Sequence, residues 1–287
     1  MYRIQKCLSL IISLYSHFQV ERRMNFSGKT FWITGAASGM GKALALALAG
    51  DASALIISDR DKTGLDKTAF EVSQLGTNVR AVVLDMADMN AIANTARDIL
   101  SEGIKIDGLY QFAGISQRSL VAETSLDIDR KIMEINFFGV VALTKALLPS
   151  MIENGGGQLA VTSSLVGKFG FPYRSAYSAS KHALHGFFES LLAENSKHNI
   201  KVSILIPGRI QTNISKFALD SHGNEYGKMD PGQANGITAE KAARQIKRGL
   251  QRNRKEVKVG GNELLMLQIR RFFPSVYYKL ATKIKPV

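Results

Sequence analysis

A tyrosine and a lysine stand four residues apart in a stretch that is predicted to be helical. They are Tyr177 and Lys181 in AYSASKHALHGFF, residues 176–188. Residues at positions i and i+4 are neighbours on a helix surface, so the phenol and the ammonium can share one small volume. A cation beside a phenol favours the phenolate and lowers its pKa. The pair therefore predicts acid–base chemistry by a tyrosine near neutral pH.

The spacing alone does not decide this interpretation. The same spacing occurs at Tyr2 and Lys6, where the other features described below are absent. An isolated pair of this kind also fits a half-buried helix whose long side chains extend their polar ends to solvent. The acid–base interpretation therefore needs support from the rest of the chain.

A glycine-rich turn stands between the first predicted strand and the helix after it. The stretch TGAASGMG, residues 34–41, has glycine at 35, 39 and 41. Glycine permits a tight turn and a close backbone approach, and a helix N-terminus offers free N–H groups to a pyrophosphate. The spacing differs from the G-x-G-x-x-G fingerprint. A purely structural turn is the alternative, and the strand–helix context favours a nucleotide.

Acidic residues follow the next two predicted strands. Asp59 ends LIISD, where a carboxylate can accept hydrogen bonds from ribose hydroxyls and repel a 2′-phosphate. This favours NAD over NADP, although the adjacent Arg60 could contact a 2′-phosphate and keeps NADP as an alternative. Asp85 could hold the adenine amine. Each of the two carboxylates could instead cap a turn or a helix.

Short apolar runs alternate with longer helical patterns along the chain. Continuous apolar strands separated by helices indicate a parallel sheet covered on both faces. The predicted fold is an α/β, doubly wound parallel sheet of the Rossmann type, with about seven strands and helices on both faces. The strands are predicted at 30–34, 54–58, 79–84, 107–112, 158–162, 201–206 and 256–259.

The residues that could do chemistry follow the predicted strands. Open α/β sheets bind ligands beyond the carboxyl ends of their strands. Besides the glycines and acids above, the residues at these ends are Ala113, Gly114, Ser163, Ser164, Pro207 and Gly208. They are expected at one rim of the sheet.

The chain resembles the short-chain dehydrogenases/reductases over roughly residues 25–260. The pieces that carry the resemblance are TGAASGMG, LDMAD, AGIS, INFFG, TSS, YSASK and PGRIQT, in the family's order. Ser164 and Tyr177 are 13 residues apart, which also fits. The stretch 163–188 is similar to the hydroxysteroid dehydrogenase-like branch.

The resemblance implies a role for each matching side chain. Tyr177 would be the general acid in carbonyl reduction and the base in alcohol oxidation. Lys181 would lower the Tyr177 pKa and hold the nicotinamide ribose. Ser164, rather than its neighbour Ser163, would hydrogen-bond the substrate oxygen. Asn136 would support a proton-relay water.

The resemblance also implies a nicotinamide dinucleotide, with NAD favoured and NADP the alternative. Thr212 would contact the nicotinamide amide. The predicted cofactor-binding residues are Gly35, Ser38, Gly39, Met40, Gly41, Asp59, Arg60, Asp85, Met86, Ala113, Gly114, Tyr177, Lys181, Pro207, Gly208, Ile210 and Thr212.

One stretch departs from the family pattern. Gln111 and Phe112 stand where the family has two asparagines. We expect a locally altered floor of the cofactor site. The change also leaves open a second function, a catalytically weak NAD(P)-binding sensor or scaffold protein at a membrane surface.

A segment of little periodicity, residues 208–237, is predicted to cover the substrate. Loops of this length in a compact domain are usually functional or disordered. Phe217, Leu219 and Tyr226 could line an apolar pocket or pack the loop against the body. The expected substrate is a lipophilic secondary alcohol or ketone, of the kind found in lipid or steroid metabolism.

The net charge of +13 lies at the two ends of the chain. Residues 241–287 hold 13 Lys or Arg and two Glu. Residues 261–287 are predicted to form a basic, amphipathic tail that Pro274 divides into two short helices, either at a membrane interface or against a partner subunit. Residues 1–24 form either a weak membrane anchor or an overlong start before the catalytic domain of residues 25–260.

Several other classes of function find no support in the sequence. The single cysteine excludes an intrachain disulfide, and no Cys/His spacing predicts a metal site. The body lacks the interleaved basic and aromatic residues typical of nucleic-acid binding. The chain is predicted to be cytoplasmic with peripheral membrane contact. The resemblance implies a homodimer or homotetramer.

Overall fold

The computed structural model of the chain describes residues 23–283. Most of the predicted N-terminal segment, residues 1–22, lies outside the described residues, as do the last four residues.

The described part of the chain contains one seven-stranded parallel sheet, which confirms the predicted fold class. The strand order is β3-β2-β1-β4-β5-β6-β7. The bounds are Thr30–Thr34 for β1, Ala54–Asp59 for β2, Asn78–Val83 for β3, Gly108–Gln111 for β4, Gly157–Thr162 for β5, Ile200–Pro207 for β6 and Glu256–Val259 for β7.

Helices cover both faces of the sheet. Their bounds are Gly39–Leu48 for α1, Lys62–Gln74 for α2, Met89–Ser101 for α3, Leu126–Met133 for α4, Gly139–Glu153 for α5, Ser175–Asn195 for α6, Pro231–Ala234 for α7, Ala239–Gln251 for α8, Leu265–Phe272 for α9 and Pro274–Ala281 for α10.

Two hydrophobic layers explain why the strands are apolar on both sides. Phe31 and Ile33 of β1 pack with residues of α1, α2 and α8 on one face. Trp32, between them, packs with residues of α3, α5 and α6 on the other face. Successive side chains of a strand point to opposite faces, so a central strand needs apolar residues at every position.

The strand order reverses between β1 and β4. The chain runs outward from β1 to β3 and then returns to the other side of β1. The loops after β1 and β4 therefore diverge and leave a crevice at the carboxyl ends of the strands, where doubly wound folds bind ligands.

The helical region Leu126–Glu153 contains an irregularity. Between α4 and α5, residues Glu134–Phe138 form a turn of π-helix. Such turns occur frequently at functional sites. Gly139 begins α5 against the backbone of Met86, where a Cβ would lie 2.1 Å from the carbonyl oxygen.

This helical region, Leu126–Glu153, is also the one described helix long and apolar enough to cross a membrane, with a mean hydropathy of 1.6. Several of its apolar side chains, among them Leu143 and Leu147, are fully buried in the core layer beside α3, whereas Leu126 and Phe138 are exposed. Packing within the domain thus accounts for part of its hydropathy.

The C-terminal tail lies against the body through Tyr277 and apolar residues of α9, among them Met266 and Leu267. Pro274 separates α9 from α10, as predicted from the sequence. Tyr277 is buried, packs against Phe169 with the ring centroids 4.9 Å apart and the rings tilted, and donates a hydrogen bond to the Gly170 carbonyl. The rest of α10 is exposed.

Candidate active site

Two cavities open side by side at the carboxyl ends of the strands. The first, of about 380 Å³, is lined by the glycine-rich turn and by residues that follow β2, β3 and β4; we call it the glycine-rich cleft. The second, of about 310 Å³, is lined by Ser164, Tyr177 and residues of the loop after β6; we call it the tyrosine cavity. Ile214 lines both, so the two cavities adjoin.

The glycines of the first cavity are needed for close backbone approach. Gly35 has φ +69°, and a Cβ there would lie 2.5 Å from the Ala113 amide nitrogen. A Cβ on Gly41 would lie 2.2 Å from the Gly35 carbonyl oxygen. Side chains at either position would therefore push β1, β4 and α1 apart.

The N-terminus of α1 is suited to a phosphate. Ser38 occupies the N-cap position, and within the described residues its side chain makes no capping hydrogen bond to the helix. The first N–H groups of α1 are then free to bind an anion at the positive end of the helix dipole. Together with the cradle of glycines, this arrangement fits the pyrophosphate of a dinucleotide.

The two predicted carboxylates line this cleft. Asp59 accepts hydrogen bonds from the amides of Ala37 and Asp61, at 3.0 Å each, and thereby braces the glycine-rich turn. Asp61, rather than Asp59, is the N-cap of α2. Asp85 accepts a hydrogen bond from the Ala87 amide in a tight turn. Asp59 is therefore not a helix cap, and Asp85 supports a turn and faces the cleft.

Most of the predicted cofactor residues line the same cavity. They are Gly35, Ser38, Gly39, Met40, Gly41, Asp59, Arg60, Asp85, Met86, Ala113, Gly114 and Thr212.

Five predicted cofactor residues lie outside the lining of this cleft: Tyr177 and Lys181, which are described below, and three near the end of β6. Gly208 lines the tyrosine cavity instead. Pro207 is the buried last residue of β6. Ile210 pairs with Ile237 and is buried in the core layer beneath α8, because its apolar side chain turns inward after the strand ends.

The departure from the family pattern changes the floor of the cleft. Gln111 is buried in β4, where its Nε2 donates to Thr144 Oγ1 at 2.9 Å. Its Oε1 has no hydrogen-bond partner among the described residues. Phe112 lines the cleft and packs on the core. An aromatic ring thus occupies part of the floor where the family pattern has an amide.

Lys181 and Asn136 meet behind the reactive tyrosine. The buried Lys181 Nζ donates to the Thr162 carbonyl at 2.8 Å and lies 5.8 Å from the centroid of the Tyr177 ring. Asn136, in the π-helical turn, donates to the Ile115 carbonyl at 2.9 Å and to Ser180 Oγ at 3.1 Å. The π-turn thus places its amide against α6.

The backbone at Gly114 lies close to both of these side chains. A Cβ on Gly114 would lie 2.9 Å from Asn136 Oδ1 and 3.4 Å from Lys181 Nζ. The backbone after β4 can therefore approach both only because this residue is glycine.

The two neighbouring serines after β5 have different environments. Ser164 lines the tyrosine cavity beside Tyr177, caps a short 3₁₀ turn, and favours the phenolate form of Tyr177. Ser163 is buried and faces α6, where its hydroxyl donates to the Lys181 carbonyl and contacts His185 Nε2 at 2.9 Å. The choice of Ser164 over Ser163 thus agrees with the side-chain directions, and Ser164 also supports the backbone of the turn that it caps.

The pKa values differ from the simple expectation for a tyrosine beside a lysine. Burial raises the pKa of Tyr177, and this effect exceeds the opposing effects of the Ser164 hydrogen bond and of Arg118 and Arg174. Burial also lowers the pKa of Lys181 to about 8. The expected depression of the Tyr177 pKa by Lys181 is therefore not observed, because desolvation outweighs the charge effects and the nearby cations that oppose it are arginines.

These arginines are the residues that sequence reasoning missed. Arg118 and Arg174 both line the tyrosine cavity, together with Asp230, whose Oδ2 lies 3.4 Å from Arg118 and 2.6 Å from Arg174. Arg174 is the N-cap of the helix that carries Tyr177 and stands three residues before it. Arg118 follows AGIS at the rim where ligands were expected. The position of each arginine, next to residues already expected at the site, could therefore have indicated that it belongs to the site.

A glutamine fixes the start of the helix that carries Tyr177. Gln117 is fully buried, and its Oε1 accepts hydrogen bonds from the Ala176 amide at 2.9 Å and the Tyr177 amide at 3.4 Å. It supplies the cap that Arg174, the N-cap residue, does not. The loop after β4 thereby holds the phenol in position.

The rest of the tyrosine cavity is largely apolar. Its apolar lining is Leu165, Val166, Phe169, Phe171, Ile214 and Met266. Of the loop residues considered from the sequence, Tyr226 lines this cavity, Phe217 lines the glycine-rich cleft, and Leu219 packs into the core.

The sequence is similar to known dehydrogenases. The family model described as short chain dehydrogenase matches residues 29–222. Dehydrogenase/reductase SDR family member 7B of Xenopus tropicalis is 37% identical over 278 residues, which cover 93% of this chain and 90% of the relative. The protein of the same name from Mus musculus is 40% identical over 280 residues and covers 96% and 86%, respectively.

Solved structures of short-chain dehydrogenases are also similar to this chain. A short-chain dehydrogenase from Streptomyces avermitilis has a TM-score of 0.74 and 31% identity, covering 89% of this chain and 96% of that chain. A short chain dehydrogenase/reductase from Burkholderia phymatum in complex with NAD shares the fold, with a TM-score of 0.77, 21% identity and coverage of 92% and 98%. So does one from Burkholderia cenocepacia in complex with NADP, with a TM-score of 0.75, 24% identity and coverage of 91% and 100%. The chain belongs to the short-chain dehydrogenase/reductase family of NAD(P)-dependent oxidoreductases.

Proposed function

We propose that the chain interconverts a lipophilic secondary alcohol and its ketone, with Tyr177 as the acid and base. The observation that carries this proposal is the position of the Tyr177 phenol. It faces a largely apolar cavity within reach of Ser164, and that cavity adjoins the glycine-rich cleft.

The side chains of the cavity account for the proton transfer. In reduction, Tyr177 Oη donates its proton to the carbonyl oxygen, and the Ser164 hydroxyl donates a hydrogen bond to the same oxygen. The phenolate left behind is stabilised by Arg118 and Arg174 and regains a proton from water. In oxidation the phenolate accepts the proton of the alcohol. A bound nicotinamide dinucleotide supplies the hydride in one direction and takes it up in the other.

The residues behind the phenol hold the reacting groups in place. Lys181 is charged below its pKa of about 8 and, beside Gly114, would hold the nicotinamide ribose. Asn136 fixes the backbone of Ile115 next to it. Thr212 would contact the nicotinamide amide from the far wall of the cleft.

NAD is the proposed cofactor. Asp59 faces the cleft with a carboxylate that favours ribose hydroxyls and disfavours a 2′-phosphate. Arg60 is exposed at the same rim, so a measurable but weaker use of NADP is expected.

The proposed setting is cytoplasmic, with the basic tail on a membrane surface and the chain assembled as a homodimer or homotetramer. Met266 of α9 lines the tyrosine cavity, so the tail lies beside the substrate entrance. A lipophilic substrate could then pass from the membrane to the cavity over a short distance.

Replacement of the phenol tests the proposal. Tyr177→Phe is expected to reduce turnover by roughly a thousandfold, the size of a lost general acid, and to leave dinucleotide affinity within about threefold. A panel of hydrophobic alcohols and ketones is assayed with NAD and with NADP, and dinucleotide binding is measured by calorimetry. The matched control is Tyr278→Phe, which alters an exposed tyrosine of α10.

Two outcomes would contradict the proposal. One is undiminished turnover in Tyr177→Phe. The other is tight dinucleotide binding by the native chain without turnover of any member of the panel, which would instead support a sensor or scaffold.

A further inference from the structure

We infer that the substrate carries an anionic group, a carboxylate or a phosphate, close to the reacting carbonyl, and that Arg118 and Arg174 bind it. This inference rests on the proposed function and specifies the substrate class of the same site.

Two buried guanidinium groups share one carboxylate in the tyrosine cavity. The side chains of Arg118 and Arg174 are 8% and 15% exposed, and that of Asp230 is 11% exposed. Asp230 Oδ2 faces both guanidinium groups, and its Oδ1 accepts from the Gly232 amide at 2.8 Å. One negative charge therefore serves two positive charges that are largely removed from water.

Arg118 is the less satisfied of the two. Its NH1 donates to Ser116 Oγ at 2.9 Å and to the Gln117 carbonyl at 2.7 Å, which are neutral acceptors. Its ion pair with Asp230 is long, at 3.4 Å. Its buried Nε has no hydrogen-bond partner within residues 23–283. A buried charge is costly unless it is paired and hydrogen-bonded, so this guanidinium group, whose ion pair is long and shared with Arg174, has room for a further anion.

The remaining charges of the cavity do not supply that anion. Glu263 Oε1 accepts from the amides of Arg209 and Gly261, at 2.8 and 3.1 Å. Arg209 adds a third guanidinium group to the lining. Among the described residues the cavity thus has three arginines against two carboxylates, and both carboxylates are already engaged.

The chemistry of arginine narrows the ligand. A guanidinium group presents a planar fork of donors that matches a carboxylate or a phosphate in a bidentate way. The arginines share the cavity with Ser164 and Tyr177, so a bound anion would lie close to the carbonyl that these residues address. The apolar lining then accommodates a hydrocarbon chain, so the ligand is an amphiphile with a charged head next to its ketone.

The arginines could instead serve only to favour the phenolate form of Tyr177. That effect would act equally on charged and neutral substrates. A preference between two substrates that differ only in charge therefore separates anion binding from the effect on the phenol.

The test compares matched ketones. A long-chain γ-keto carboxylate is assayed beside its methyl ester, and a long-chain β-keto phosphonate beside its dimethyl ester. The wild-type chain is expected to show a kcat/KM at least about tenfold higher for the anion of a pair, since hydrogen bonds to charged groups have about this effect. The pair with the larger ratio distinguishes a carboxylate from a phosphate.

Variants assign the preference to residues. Arg118→Gln and Arg174→Gln are expected to bring the ratio towards one, and Arg118→Lys to retain part of it, which also controls for misfolding. Asp230→Asn keeps the shape of the helix cap and removes the competing charge, so the ratio should rise. The matched control is Arg130→Gln, which alters an exposed arginine of α4 and should leave the ratio unchanged.

Failure of this inference and failure of the proposed function are distinguishable. Equal use of anionic and neutral ketones by the wild-type chain, or a ratio unaffected in Arg118→Gln and Arg174→Gln, would overturn the anion site and leave the proposed reaction standing. If none of the four ketones is reduced, the proposed reaction fails. Calorimetric binding of the γ-keto carboxylate and the β-keto phosphonate to the wild-type chain and to Arg118→Gln then decides the anion site: tighter binding of either by the wild type supports it, and equal or absent binding of both overturns it.

Discussion

At the scale of single residues, burial and charge oppose each other at Tyr177. Removal from water disfavours the phenolate, whereas Ser164, Arg118 and Arg174 favour it, and burial has the larger effect. The phenol therefore keeps its proton at neutral pH. In the proposed reaction such a group would act as the acid in reduction of a carbonyl.

A pH profile follows from this balance. We expect the rate of ketone reduction with a saturating reduced dinucleotide to be insensitive to the phenol through the neutral range and to fall only in alkali, as Tyr177 loses its proton. Alcohol oxidation should show the opposite slope. Arg174→Gln removes a cation that favours the phenolate, so its alkaline limb should move to higher pH. Stopped-flow measurements across pH give the rates of reduction and oxidation for the native chain and for Arg174→Gln. If the alkaline fall in the reduction rate of Arg174→Gln moved to lower pH, the effect assigned to Arg174 would be contradicted.

Sequence reasoning found the residues of this site and missed part of their electrostatics. The spacing of Tyr177 and Lys181 correctly predicts that they are neighbours. It does not predict that Lys181 donates to the Thr162 carbonyl, because that contact depends on how α6 lies on β5. The pair of arginines was missed for the same reason, since Arg118 and Arg174 come from loops that are distant in sequence and meet only at Asp230.

At the scale of elements, α6 is fastened to the end of β5 by polar contacts. Lys181 Nζ bonds the Thr162 carbonyl, and Ser163 Oγ bonds the Lys181 carbonyl and His185. Gln117 holds the N-terminus of the same helix. These contacts orient the helix, and therefore the phenol, against the sheet.

The histidine of this connection makes stability depend on pH. Burial, aided by Lys168 and His182 and opposed by Glu256, lowers the pKa of His185 to about 4. Glu189 lies 3.8 Å from its Nδ1. The folded chain thus binds fewer protons than the unfolded chain between the ordinary pKa of 6.5 and about 4. Stability is therefore full above pH 6.5 and is lost as the pH falls through that window.

Replacement of His185 should remove this acid sensitivity. Between pH 7 and pH 5 the native chain should lose roughly 2 kcal/mol through this group, and His185→Gln should lose correspondingly less over the same interval. Denaturant unfolding at the two pH values measures the difference. The control is His198→Gln, near the surface after α6. Equal acid sensitivity in the native chain and in His185→Gln would rule out the explanation.

The elements themselves were largely predictable. The predicted bounds of β1 and β7 agree with the structure, and the other strands differ by one residue at one or both ends, because continuous apolar runs have clear limits. The π-helical turn at Glu134–Phe138 was not predicted. One extra residue in a turn leaves the hydrophobic pattern nearly unchanged, and the turn is set by the contacts of Asn136 with Ile115 and Ser180.

At the scale of the whole molecule, positive charge and exposed aromatic side chains coincide in the tail. Phe272 and Phe273 are 62% and 63% exposed, and Tyr278 of α10 is 57% exposed. Arg271 and Lys279 lie among them, and residues 264–287 contain no acidic residue. Basic and aromatic residues on short helices are typical of binding to an anionic membrane interface.

The two exposed phenylalanines between α9 and α10, Phe272 and Phe273, therefore provide a test of membrane contact. The double substitution of Phe272 and Phe273 by Ala removes apolar contact and retains every charge. We expect it to weaken binding to vesicles that contain phosphatidylserine by about tenfold or more, since each buried aromatic side chain contributes about 1.5–3 kcal/mol. Flotation with vesicles of graded phosphatidylserine content measures the change. Phe70→Ala removes an equally exposed phenylalanine from α2 and should leave binding unchanged.

Because Tyr277 anchors the tail through Phe169, next to the tyrosine cavity, loss of vesicle binding should also lower the turnover of vesicle-embedded ketones and spare that of soluble ones. Unaltered flotation of the double variant would show that the tail has another partner.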